Sequence, residues 1–180
     1  MVIRKSIEKD SSDMLGIINK AFGETEGPVI VELVKDLLND PTAQPLLSLI
    51  ALHDQKIVGH ILFSKAEVSG FAAERSTILA PLAVESGLQK QGIGGSLINK
   101  GLELLADAGV KLVFVLGHPD YYPRFGFKPA GRHGLDAPYP IPNAVKEAWM
   151  VLELSPGCIG RIKGKVKCAE ALDRPEHWRE

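Results

Sequence analysis

The sequence predicts a mixed α/β domain built around one strand–helix–strand unit, and three observations predict it. An apolar run, Ile78 to Val84, reads as a strand. After a Gly-rich turn, Leu97, Ile98, Gly101, Leu102, Leu104, Leu105 and Ala108 recur at i, i+3 and i+4, which predicts a helix from about Ile93 that stops at Gly109. Val110 to Leu116 is then nearly all apolar, as in a strand buried on both faces beside a parallel neighbour. Arg75 to Leu116 is therefore a βαβ unit, and its crossover is expected to be right-handed.

The flanking elements follow in order. Val2 to Ser6 reads as a short strand. Asp10 to Asp13 offers N-cap residues for a helix carrying Met14, Ile17, Ile18, Ala21 and Phe22, broken by Gly23 and Gly27. Ile30, Leu33, Val34, Leu37 and Leu38 form a second amphipathic helix, stopped at Asn39-Asp40-Pro41. Leu46 to Leu52 and Ile57 to Phe63 are two strands that Asp54-Gln55 turns into a hairpin. Glu67 to Glu74 is a polar connection. Asp120 is expected to cap a short helix ending at Gly126, with Pro123 tolerated in its first turn. Phe127 to Gly131 starts another strand, and Ala148 to Leu154 is the last strand of the sheet. Gly164 to Lys167 is expected at an edge, and Asp173 to Glu180 is expected to fray or lie on the surface.

Composition excludes several classes of function. At 180 residues the chain is one domain with room for a sizeable core, and 45% hydrophobic content argues against disorder. A net charge of −1 gives no global field for nucleic acid. No apolar stretch reaches membrane-spanning length, and the opening MVIRKSIEKD is polar rather than a signal peptide. Cys158 and Cys168 make no disulfide framework, so a reduced, cytoplasmic setting is expected. Neither cysteine has zinc-site spacing, and no metal is expected.

The chemistry sits in the turn between Val84 and the helix. Gln89, Lys90, Gln91, Gly92, Ile93, Gly94, Gly95 and Ser96 bring bare backbone N–H groups and the positive end of a helix dipole to one place, which is an anion site. The glycines let a phosphate approach the backbone. The loop lacks the Lys of a Walker sequence, and Leu97 stands where a dinucleotide fingerprint needs its third Gly. Gln89-x-x-Gly92-x-Gly94 resembles the pyrophosphate loop of the GNAT superfamily of N-acetyltransferases. Tyr121-Tyr122-Pro123-Arg124-Phe125-Gly126-Phe127, one strand later, resembles that superfamily's Tyr-x-x-x-Gly-Phe signature. The Pro-Leu-Ala-Val before the loop and the Gly-His-Pro-Asp-Tyr-Tyr after the next strand are most similar to the YhbS-like subgroup of predicted bacterial acetyltransferases.

The resemblance implies a GNAT-like, mostly antiparallel central sheet, with helices on both faces and a splayed strand pair. It implies residues 1–155 as the acetyltransferase domain, with 156–180 as a C-terminal extension packed on it. It also implies acetyl-CoA as cosubstrate. Leu82, Ala83 and Val84 would bind the pantetheine arm through the backbone, as an added pseudo-strand. Residues Gln89 to Ser96 would cradle the pyrophosphate. Tyr122 would be the general acid that protonates the departing thiolate, a role suited to a phenol with a pKa of about 10. Tyr121 is the candidate for plain packing beside it. Phe125 would wall the cofactor. His118 and Pro119 stand where many members carry an Asn, and are counted with the cofactor contacts although the sequence departs from the pattern there.

A general base is not assigned. The strand from Arg75 to Val84 holds no acid, Glu85 reads as solvated, and His60 on an apolar strand reads first as a structural histidine. The alternating Arg161, Lys163, Lys165 and Lys167 read as the charged face of an edge strand. The leading reading is an N-acetyltransferase that moves an acetyl group directly to a primary amine of a small molecule or peptide, without nucleic acid or membrane. The alternatives are a CoA-binding regulator without turnover and a domain whose loop binds nothing. Acceptor specificity would lie in Asp13 to Asp40 and Gly131 to Ala144. The resemblance leaves a homodimer open, since many members dimerise.

Overall fold

The computed structural model describes residues 1–179. Their strands are β1 (Val2–Lys5), β2 (Leu47–His53), β3 (Lys56–Val68), β4 (Ser76–Val84), β5 (Leu112–Leu116), β6 (Lys128–Pro129), β7 (Leu135–Asp136), β8 (Trp149–Glu153) and β9 (Gly164–Cys168). The long helices are α1 (Ser11–Leu38) and α2 (Ile93–Asp107). The sheet runs β1-β2-β3-β4-β5-β8-β6, with β9 paired to β3 and β7. Along that main path every pairing is antiparallel except β4 with β5. The βαβ unit is therefore the one parallel step in the path, as the sequence predicts.

Both faces are covered. Leu112 and Phe114 of β5 join the core under α1, while Val113 and Val115 join the core under α2. This period-two sorting is why the strand reads as uninterrupted apolar sequence. The β2–β3 hairpin turns through Asp54 (φ 50°) and Gln55 (φ 64°), the two consecutive positive φ values that a tight two-residue connection needs.

Four expectations are corrected. The break at Gly23 is borne out, since its backbone (φ 81°, ψ 178°) is not helical and parts α1 into two helical arms, but the second break is not. Gly27 is no breaker: it is buried where its backbone abuts the Asn19 carbonyl, so it serves close packing of the two arms. The strand β9 is not an edge. It is flanked by β3 and β7, because β3 runs five residues past Phe63 and its overhang supplies a ladder from Ala66 to Val68. Its alternation survives, with Lys165 and Lys167 exposed and Val166 and Cys168 buried. Asp120 caps nothing: the single turn Tyr122–Phe125 starts after Tyr121, without a side-chain cap.

The tail is the fourth correction. Trp178 is only 1% exposed, donates its indole N–H to the Leu172 carbonyl at 2.9 Å and stands edge-on to Trp149 at 5.5 Å. One aromatic in a polar segment has no periodicity to announce it. Trp178→Ala is expected to cost about 3–5 kcal/mol, the range for deleting a large buried side chain. Urea unfolding checks this, and a loss below about 1 kcal/mol would mean that the tail contributes little. Glu180 lies outside the described residues.

Candidate active site

The site begins where β4 and β5 part. Their parallel ladder runs from Ser76 opposite Leu112 to Leu79 opposite Val115 and goes no further. Beyond it, β4 continues to Val84 with partners only in β3, namely Ile61, His60 and Gly59. Pro81 has no N–H to extend a ladder. Ala80, Leu82 and Val84 are partly exposed while Pro81 and Ala83 are buried, so alternate residues line the gap. Here the structure places Leu82, Ala83 and Val84.

The Gly-rich turn closes onto this gap. Gln89 Nε2 donates to the Val84 carbonyl at 3.3 Å, tying the loop to the end of β4. Lys90 (φ 63°) and Gly92 (φ 87°) take left-handed conformations that aim the chain into α2. The Ser96 N–H bonds the Gly92 carbonyl at 3.0 Å, so it is the first N–H satisfied within the helix, and those of Ile93, Gly94 and Gly95 point off its end. The macrodipole adds partial positive charge there. Ile93 contributes backbone only, since its side chain is buried under the sheet. Gln89, Lys90 and Gln91 are exposed.

The glycines turn out not to be equivalent. A Cβ on Gly92 would meet nothing within 4 Å, whereas one on Gly94 would lie 2.8 Å from the Tyr121 hydroxyl oxygen and one on Gly95 would lie 3.3 Å from the Phe125 ring. The aromatic segment after β5 therefore packs directly on the first turn of α2, and Phe125 walls it.

Tyr122 approaches from the other side of the gap. Its ring lies on Gly117, the residue after β5, where a Cβ would overlap it. Phe127 (5.6 Å) and Tyr121 (5.1 Å) stand edge-on to it, and it is buried. Gly117 is a packing position beneath Tyr122 that the sequence reading did not single out; its signal is a Gly that ends an all-apolar strand just before the Tyr pair. Tyr121 is the less buried of the two tyrosines and carries its hydroxyl to α2. His118 and Pro119 are exposed, and the His118 carbonyl accepts the N–H groups of Tyr121 and Tyr122 at 3.1 and 3.4 Å. Those two residues shape the turn that sets the tyrosines.

Similarity to known proteins agrees with this geometry. The sequence model of the Acetyltransferase (GNAT) family matches residues 12–127. The chain belongs to the GNAT family of acetyltransferases. Over 165 residues it is 44% identical to an uncharacterized N-acetyltransferase of Escherichia coli K12, YjhQ, covering 91% of this chain and 89% of that one. The uncharacterized N-acetyltransferase YhbS of the same strain is 30% identical over 175 residues, covering 97% and 99%. A crystal structure of Escherichia coli YhbS in complex with CoA superposes with a TM-score of 0.85 at 29% identity, covering 96% of this chain and 92% of that one. A Brucella melitensis GNAT acetyltransferase in complex with acetyl-CoA gives 0.75 at 29% identity, covering 96% and 97%. This GNAT protein is an acyltransferase, an N-acetyltransferase with acetyl-CoA as cosubstrate.

No carboxylate of β4 faces the gap of this GNAT site, because β4 has none. His60 is fully buried on β3, its Nε2 3.0 Å from the Ser48 hydroxyl, and Ser6 donates in turn to Ser48 at 2.6 Å. Burial pushes its pKa down to about 3, so it stays neutral and is a poor proton acceptor. The structural reading of His60 therefore stands. In the unfolded chain an imidazole binds a proton below about pH 6.5. Between about 6.5 and 3 the unfolded state thus holds one proton more, so stability is full above 6.5 and falls on acidification. The slope from this group is at most about 1.4 kcal/mol per pH unit. His60→Gln should flatten it, measured as urea stability at about pH 7 and about pH 5; an unchanged slope would assign it elsewhere. Both cysteines are free and buried, and among the described residues no cluster of three His, Cys, Asp or Glu could hold a metal ion.

Proposed function

We propose that acetyl transfer is direct, from the thioester to a primary amine in the gap between β4 and β5, with Tyr122 as general acid. The observation that carries this is the end of the β4–β5 ladder at Leu79 and Val115, with the first turn of α2 on one side and the Tyr122 ring on Gly117 at the other. In this reading Gln89 to Ser96 hold the pyrophosphate, and the backbone of Leu82, Ala83 and Val84 takes the pantetheine arm as an added strand. Phe125, His118 and Pro119 border it. Residues 1–155 form the catalytic unit, and 156–180 are its extension.

The amine lone pair attacks the thioester carbonyl carbon, and the oxygen takes the negative charge. The carbon–sulfur bond then breaks, and the thiolate takes the Tyr122 phenolic proton. The amine nitrogen gives its extra proton to water, which re-protonates the phenolate. Neither a covalent acetyl-enzyme nor a side-chain base is required. The acceptor is a small molecule or peptide amine rather than nucleic acid or membrane, consistent with a net charge of −1. Two buried free thiols suit a reducing cytoplasm.

The test is release of free CoA, trapped by a thiol reagent, across polyamines, amino acids, amino sugars and peptides with free N-termini, with mass spectrometry of the acceptor. Acetylated amine formed only when both substrates are present supports direct transfer. An acetyl group found on the protein before acceptor is added would overturn it.

A further inference from the structure

Tyr121 has no part in the mechanism above, yet its place is the more specific of the two tyrosines. The point where a Cβ of Gly94 would sit is 2.8 Å from the Tyr121 hydroxyl oxygen, 3.6 Å from a Leu82 methyl and 3.7 Å from a Val84 methyl. One spot thus gathers the first turn of α2, the end of β4 and a hydroxyl from the segment after β5. The ring is held there by Tyr122 at 5.1 Å, Phe125 at 5.4 Å and the Arg124 guanidinium 5.7 Å from its centre.

A phenylalanine would satisfy every one of those ring contacts. The oxygen is what needs an explanation. At the Gly94 Cβ position that the oxygen approaches, the other neighbours are methyl groups of Leu82 and Val84, and the free N–H groups of α2's first turn are donors. The phenol can donate as well, so a group that joins them all must be an acceptor, and a phosphate oxygen takes several such bonds at once.

We propose that Tyr121 is a positioning residue for acetyl-CoA, its hydroxyl donating to the pyrophosphate beside the α2 N-terminus. Gly94 is then glycine to admit that hydroxyl as much as the phosphate. The inference rests on the assignment of Gln89 to Ser96 as the cradle. Partial burial raises the Tyr121 pKa, which keeps the proton on the oxygen through neutral pH.

The experiment is calorimetric titration of the whole chain with CoA and with ADP, which carries a pyrophosphate but no pantetheine arm. The proteins are the wild type, Tyr121→Phe, Gly94→Ala and the double variant, with steady-state kinetics alongside. A hydrogen bond to a charged group sets the scale, so Tyr121→Phe should weaken both ligands roughly 10- to 100-fold. It should raise the KM for acetyl-CoA far more than it lowers kcat, with the melting temperature of the free protein unchanged. Gly94→Ala should weaken CoA when Tyr121 is present, while the double variant should be no worse than Tyr121→Phe alone, because removing the oxygen makes room for the Cβ. Wild-type affinity for CoA or for ADP in Tyr121→Phe overturns the proposal and leaves the cradle standing. A wild type that binds neither ligand overturns both.

Discussion

Tyr122→Phe should lower kcat by about 10²- to 10⁴-fold, the usual contribution of a positioned general acid, while leaving the KM for acetyl-CoA near that of the wild type. The reason is local. The Tyr122 ring is fixed against Gly117, Phe127 and Tyr121, and phenylalanine keeps those contacts, so the cofactor gap should retain its shape. In the proposed mechanism the variant loses the proton for the departing thiolate. A second readout separates this from a packing defect. Any alkaline limb of the kcat profile that the phenol sets should vanish in the variant. If kcat is unchanged, the thiolate is protonated by another group or by water, and the acid assignment falls.

Gly94→Glu should abolish cofactor binding without unfolding the protein. Gly94 is the second residue of α2 and is partly exposed. A carboxylate in the first turn suits the helix dipole, so the helix itself is not weakened by the charge. The same carboxylate, however, occupies the region of the free N–H groups and repels a pyrophosphate, and its Cβ displaces the Tyr121 hydroxyl 2.8 Å away. For the wild type, acetyl-CoA at 100 times its dissociation constant adds about 2.7 kcal/mol, several degrees in melting temperature. The variant should show no shift at the same concentration. A full shift in the variant would mean that the pyrophosphate binds away from α2.

The strand, glycine turn and helix start that make up the proposed cradle were legible in the sequence because all three are local patterns. Tyr122 was legible only as a position in the Tyr-x-x-x-Gly-Phe signature. Its environment was not, since the turn that lays its ring on Gly117 and edge-on to Phe127 leaves no periodic pattern. The different duties of Gly92, Gly94 and Gly95 were hidden because the aromatic segment that packs on two of them comes some thirty residues later.

The sequence by itself determined the main element types, the βαβ unit and the Gly-rich turn into α2, because hydrophobic period, glycine placement and helix ends are short-range. Tertiary structure alone decided where β4 and β5 separate, that β9 is enclosed rather than at an edge, that Trp178 is core, and that His60 is too deeply buried to act as a base. Each of these depends on which distant segments become neighbours. Burial, register and the distance between two side chains belong to pairs of residues, and no single stretch of sequence carries them.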